Sequence, residues 1–67
     1  MTKNEAIKFS RETGKPITHI YFSDNEFIKI IGNQVITEED YKMWVSEFFL
    51  YREGKAFDED WSEFKTE

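Results

Sequence analysis

Hydrophobic and polar positions run along this chain in two rhythms, one helical and one alternating, and the change between them divides it into elements. The segment TKNEAIKFSRETGK has the helical rhythm. At 100° per residue, Ala6, Ser10 and Thr13 form a narrow stripe of small residues flanked by Ile7 and Phe9. Thr2 stands where an N-cap is wanted, with Glu5 three residues on, the spacing at which each side chain satisfies an orphan backbone donor. Gly14 supplies the stop. A helix whose inner stripe is this narrow can lie close against a sheet but buries little by itself.

The rhythm changes at KPITHIYF. Ile17 to Phe22 is β-branched and aromatic and predicts a strand, with Thr18, Ile20 and Phe22 on one face and Ile17, His19 and Tyr21 on the other. SDN then turns the chain into EFIKII, and GN turns it again into QVIT. A two-residue hairpin loop at Gly32 and Asn33 pairs Ile31 with Gln34, Ile30 with Val35 and Lys29 with Ile36. Ile28, Ile30 and Val35 then share one face, and Phe27, Lys29, Ile31 and Ile36 share the other. Both faces are apolar enough to want covering. One helix covers one face, so the second is expected to meet the aromatic C-terminal segment (Trp44, Phe48, Phe49 and Trp61), another subunit, or both.

From Thr37 onward two patterns compete. Tyr41, Trp44, Val45, Phe48 and Phe49 fall at i, i+3, i+4, i+7 and i+8, which argues for an amphipathic helix with Thr37 as N-cap. The other reading makes TEED a turn and YKMWV a strand, with Ser46 capping a short helix EFFLYR. Beyond Gly54, Phe57, Trp61 and Phe64 anchor a last strand or turn around DWSEF.

Sixty-seven residues make one domain, residues 1–67, at a length where burial and conformational entropy nearly cancel. Such domains usually need disulfides, a metal, a partner subunit or dense packing. There is no cysteine and a single histidine, so disulfides and thiolate metal sites are excluded and zinc is poorly served. Dense aromatic packing or oligomerisation remains, and aromatics at 18% of the chain serve both. A net charge of −5 disfavours binding a phosphate backbone, and no apolar run approaches a membrane span, so neither direct nucleic-acid binding nor membrane insertion is expected. The expected location is the cytoplasm.

In the order helix, Gly-Lys, strand, aromatic, hairpin and late Asp-Trp, the chain resembles a class of small phage-encoded proteins, the Thoeris anti-defence sponges and a related anti-CRISPR. The pieces that carry the resemblance are EAIKFSRETGK from Glu5 to Lys15, Phe22, FIKI from Phe27 to Ile30, EFFLYR from Glu47 to Arg52, and Asp60 with Trp61. The resemblance implies an α+β fold: an N-terminal helix packed on a small curved antiparallel sheet, with a short C-terminal helix. It implies a dimer or tetramer in a bacterial host, with pockets for a cyclic ADP-ribose-type signal between subunits. It also favours the strand reading of YKMW. Thr18 and His19 stand where members of the class often carry an arginine pair, which removes two cations from any pyrophosphate site.

The candidate ligand-binding set is His19, Phe22, Trp44, Tyr51, Arg52 and Lys55. Tyr51 or Trp44 could stack on a base while Arg52 and Lys55, at the Gly54 bend, grip a phosphate; alternatively Arg52 pairs with Glu47 or Glu53. His19 is either a proton-exchanging group or a hydrogen-bonded structural one. Asp58, Glu59, Asp60 and Glu63 form either a phosphate-like surface or a solvated face. No Ser-His-Asp or Cys-His set can be assembled, so neither catalysis, a metal nor a cofactor is expected. The expected function is a homo-oligomeric anti-defence or accessory binding protein that sequesters a nucleotide-derived immune signal or blocks a host protein. The alternatives are an acidic nucleic-acid mimic that inhibits a host DNA-binding protein, or a structural phage accessory protein.

Overall fold

The computed structural model describes residues 1–65, and its first element, α1 (Lys3–Thr13), begins at the cap the sequence marks. The Thr2 hydroxyl accepts the Glu5 N–H (3.2 Å) and the Glu5 carboxylate accepts the Thr2 N–H (2.9 Å). The Thr2 backbone N–H, and after it the Thr2 side chain, hold the Glu5 carboxyl below the usual glutamate range. Gly14 ends the helix in the left-handed region, φ 74°, with its N–H on the Ser10 carbonyl.

Five short strands follow: β1 (Ile17–His19), β2 (Ile28–Ile31), β3 (Gln34–Thr37), β4 (Lys42–Trp44) and β5 (Trp61–Glu63). A second helix, α2 (Val45–Leu50), and a 3₁₀ turn (Lys55–Phe57) lie between β4 and β5. The strands form one antiparallel sheet in the order β4-β3-β2-β1-β5, and the fold is α+β. The short helix falls before the last strand, not at the end of the described chain.

The hairpin forms in the expected register, Ile31 with Gln34 through Ile28 with Thr37. Gly32 at φ 59° is its only left-handed loop residue, the arrangement of a type II′ turn. β1 is shorter than its sequence suggests. The His19 Nδ1 accepts the Tyr21 N–H (3.1 Å) and the His19 carbonyl accepts the Phe22 N–H (2.9 Å), so the backbone turns instead of continuing to Phe22. Ile20 and Tyr21 are left exposed.

The seam between β1 and β2 pairs directly only at Ile17 and Ile28. Extending that register would set Lys15 opposite Ile30, and there the Ser10 hydroxyl is inserted, donating to the Lys15 carbonyl (2.7 Å) and accepting the Ile30 N–H (2.9 Å). On the other side of the Ile17–Ile28 pair, the Thr18 hydroxyl donates to the Glu26 carbonyl (2.9 Å). Side chains thus complete a ladder that the backbones leave open. Ser10 and Ala6 are 0% exposed because the stripe rests directly on the sheet, whereas Thr13 turns back to the Phe9 carbonyl at the helix end.

Region 38–50 resolves as strand plus short helix. Thr37 does not cap a helix; its hydroxyl accepts the Glu39 and Tyr41 N–H groups and closes the β3–β4 turn, where Asp40 is left-handed (φ 65°). The same oxygen that could satisfy helix donors satisfies turn donors. Nor does Ser46 cap α2: it lies inside the helix, and Trp44 holds the N-cap position without a side-chain bond.

The aromatic segment does not cover the second face. Phe48, Phe49 and Trp61 join Ala6, Ile17, Ile28, Ile30 and Val35 in a single core on the face that α1 also packs against. The small-residue stripe is too slim to fill that layer, so α2 and β5 complete it. Trp44 points the other way, because its partner Gln34 is out of phase with buried Val35, and it is 54% exposed. Among the described residues, no layer covers the face bearing Lys29, Ile31, Ile36 and Trp44.

Candidate binding surfaces

His19 and Phe22 are brought together, and both are enclosed by aromatic rings. His19 is 2% exposed, with ring centroids of Tyr21, Phe57 and Trp61 at 5.3, 4.7 and 4.9 Å, and Phe22 packs against Trp61 at 5.5 Å. An amide N–H can only donate, so Nδ1 is the acceptor and Nε2 carries the proton that goes to the Glu59 carbonyl (2.8 Å). Both nitrogens are thereby used, Nδ1 closing the turn after β1 and Nε2 fastening it to the turn before β5, so neither nitrogen is left for a ligand in this arrangement.

Arg52 closes the end of α2. Its Nη1 donates to the Phe48 carbonyl (3.0 Å) and its guanidinium lies 4.1 Å from the Phe48 ring centroid. Tyr51 is 86% exposed beside it, and Lys55 opens the following 3₁₀ turn. Trp44 stands on the opposite face of the sheet from His19 and three strands away, about 14 Å at the usual spacing. The six candidates therefore occupy three places, not one pocket.

Two concavities bear on binding. A cleft of about 650 Å³ at the β1–β5 corner is lined by Thr18, Ile20, Ser62 and the candidate His19, together with Glu5, Glu59 and Asp60. Its carboxylates oppose an anionic ligand. A recess of about 420 Å³ lies where the hairpin loop meets the β4–α2 junction, between Arg11, Asn33, Trp44, Val45 and Ser46. Arg11 is fixed there through Nε, which donates to the Gly32 carbonyl (2.9 Å). The residues around this recess carry a guanidinium, an amide, a hydroxyl and an indole. The sequence names Trp44 as a candidate but groups it with Arg52 and Lys55, and misses Arg11, Asn33 and Ser46, because only the docking of α1 on the hairpin brings them together. Spacing within α1 could have placed Arg11 at the helix end beside Gly14, but not against Trp44.

The acidic residues divide similarly. Asp58, Glu59 and Asp60 lie in the turn entering β5, while Glu63 is within the strand and half-buried. Among the described residues no group of three or more His, Asp or Glu side chains is placed to hold a metal ion. No described helix is long and apolar enough to cross a membrane. No family model, curated protein or solved structure matches this chain.

Proposed function

We propose that this chain is a non-catalytic binding protein of the phage anti-defence type that sequesters a nucleotide-derived signal. The observation that carries this reading is the recess that Trp44 lines together with Arg11, Asn33 and Ser46. A base stacks on an exposed indole, and a guanidinium pre-positioned by a backbone carbonyl binds phosphate through its remaining N–H groups. Arg11 takes the part that Arg52 was expected to play. Native mass spectrometry and calorimetry against a panel of cyclic nucleotides and ADP-ribose derivatives test the reading. One member of the panel should bind, and Trp44→Ala and Arg11→Gln should each weaken it about tenfold or more with the fold intact. A panel without a binder removes the nucleotide reading.

A second reading draws on the gathering of carboxylates at one end of the sheet, in the turns carrying Asp24 and Glu26, Glu38 to Asp40, and Asp58 to Asp60. Such a rim suits an acidic inhibitor that competes with nucleic acid for a basic host protein. Competition by the protein for a histone-like DNA-binding protein, lost when these residues become Asn and Gln, distinguishes it from signal binding.

A further inference from the structure

The two outer edges of the sheet are finished differently. At β5, the Phe64 N–H donates to the Pro16 carbonyl (2.9 Å) and the Ile20 N–H to the Asp60 carbonyl (3.3 Å). Hydrogen-bonded positions recur at every second residue of an antiparallel pair, so Ser62 bonds inward to β1 while Trp61 and Glu63 turn their backbone groups outward. Met1 closes both groups of Trp61, donating from its amino nitrogen (2.6 Å) and accepting through its carbonyl (3.1 Å). A single residue thus acts as one more strand on that edge.

At β4 the edge stays open. The Thr37 N–H donates to the Tyr41 carbonyl (2.9 Å) and the Val45 N–H to the Asn33 carbonyl (2.8 Å), which makes Met43, opposite Val35, the residue that bonds inward. Lys42 and Trp44 therefore turn their backbone groups away from β3. The Trp44 carbonyl stands at the N-cap of α2 and is taken by the first bond of that helix. The Lys42 N–H, the Lys42 carbonyl and the Trp44 N–H remain, and among the described residues nothing engages them. Both side chains are exposed as well.

We propose that the free edge of β4 binds an extended segment of another protein, which joins the five-stranded sheet as a sixth, antiparallel strand. One partner residue then exchanges both bonds with Lys42, and the residue two before it accepts the Trp44 N–H. Their side chains stand beside Lys42 and Trp44, so a carboxylate suits the first position and an apolar group the second. The turn ahead of β4 carries Glu38, Glu39 and Asp40, and a basic residue two positions further along the partner meets it. The segment thus reads apolar, any, acidic, any, basic. A lysine on an open edge discourages indiscriminate pairing. A second copy of this chain in the same register would set Lys42 against Lys42, which like charge opposes. The inference is independent of the nucleotide reading, because it uses the backbone of β4 and not the recess.

Amide NMR of the full chain tests the inference, with the peptide acetyl-TVTETKT-amide as the probe. Titration should shift the Lys42 and Trp44 amides most and slow their hydrogen exchange, while the Met43 amide, already paired with Val35, changes little. A dissociation constant of about 1 mM or tighter is expected. N-methylation of the peptide's glutamate, whose N–H faces the Lys42 carbonyl, should weaken binding about fivefold or more. N-methylation of the threonine before it, whose N–H points away, should leave binding intact. Lys42→Glu lies at an exposed position and keeps the fold; it should lose the probe and bind acetyl-TVTKTKT-amide instead. Absence of any shift at millimolar peptide, shifts centred away from β4, or equal binding of the two N-methylated peptides overturns the inference. So does a Lys42 amide already protected in the free protein, since a second copy would then hold the edge.

Discussion

The two faces of this sheet are made by the same strands and carry similar apolar side chains, yet one is a closed core and the other is open. On the covered face Ile17, Ile28, Ile30 and Val35 meet a helix, a second short helix and Trp61. On the other, Ile31, Ile36 and Trp44 alternate with Lys29, Gln34 and Lys42 and lie outside the core. Hydrophobicity alone does not decide which face is covered. The decision comes from the narrow Ala6–Ser10 stripe, which brings α1 so close to β2 that the remaining aromatics fill gaps beside it. Long polar stems on the other face tolerate water until a partner arrives.

The contrast between the faces gives measurable expectations. Trp61→Ala strikes the covered face hardest, because the indole is 2% exposed, touches three other aromatic rings besides His19 and donates to the Phe57 carbonyl (2.8 Å). A loss of about 3–5 kcal/mol is expected. A domain of this size holds about 3–10 kcal/mol in all, so urea unfolding should find the variant largely unfolded. Ser10→Ala should cost about 1–3 kcal/mol, since it removes an apolar contact of almost no size but strands the buried Ile30 N–H. A smaller shift would mean that water enters the β1–β2 seam, which hydrogen exchange at Ile30 would reveal.

Thr2→Ala should cost about 1 kcal/mol through the lost cap. The same motif gives a pH signature. Its hydrogen bonds to Thr2 lower the Glu5 pKa in the folded state, so the stability it adds is fully present above the unfolded glutamate value. It is lost as pH falls through the folded value. Glu5→Gln should flatten that part of the acid unfolding curve, and an unchanged slope would assign acid sensitivity to other carboxylates. The smallest effect on stability is expected at Trp44→Ala, within about 0.5 kcal/mol in thermal melts under monomeric conditions. A large loss there would show that the open face is part of the core after all.

Much of this fold is legible in the sequence because its signals are local. Thr2 and Glu5 specify their own cap, Gly14 its own stop, and Gly32-Asn33 a hairpin whose register follows from the loop length. What was illegible depends on contacts across the chain. The i, i+3, i+4 pattern from Tyr41 to Phe49 is genuine, but Met43 opposite Val35 and the Thr37-capped turn give the strand better partners than a helix would. His19 reads as chemistry on its own and becomes a fastener only when Glu59 arrives from forty residues away. The Arg11–Trp44 recess likewise exists only once α1 has docked on the hairpin.

The final strand also has a consequence in time. Trp61 exchanges two backbone hydrogen bonds with Met1, through the Met1 amino nitrogen (2.6 Å) and the Trp61 N–H (3.1 Å), while β5 itself pairs with β1. The first and the late residues of the chain therefore hold each other at one edge of the sheet. The β2–β3 hairpin closes locally and early, but these pairings span more than forty residues and pay their loop entropy last. On a translating ribosome, the start of α1 would wait unpinned until Trp61 has cleared the exit tunnel, although Ser10 and Arg11 can already hold its other end to the hairpin. A nascent chain stalled before that residue should remain open to protease at the first turn of α1, and one stalled well beyond it should not.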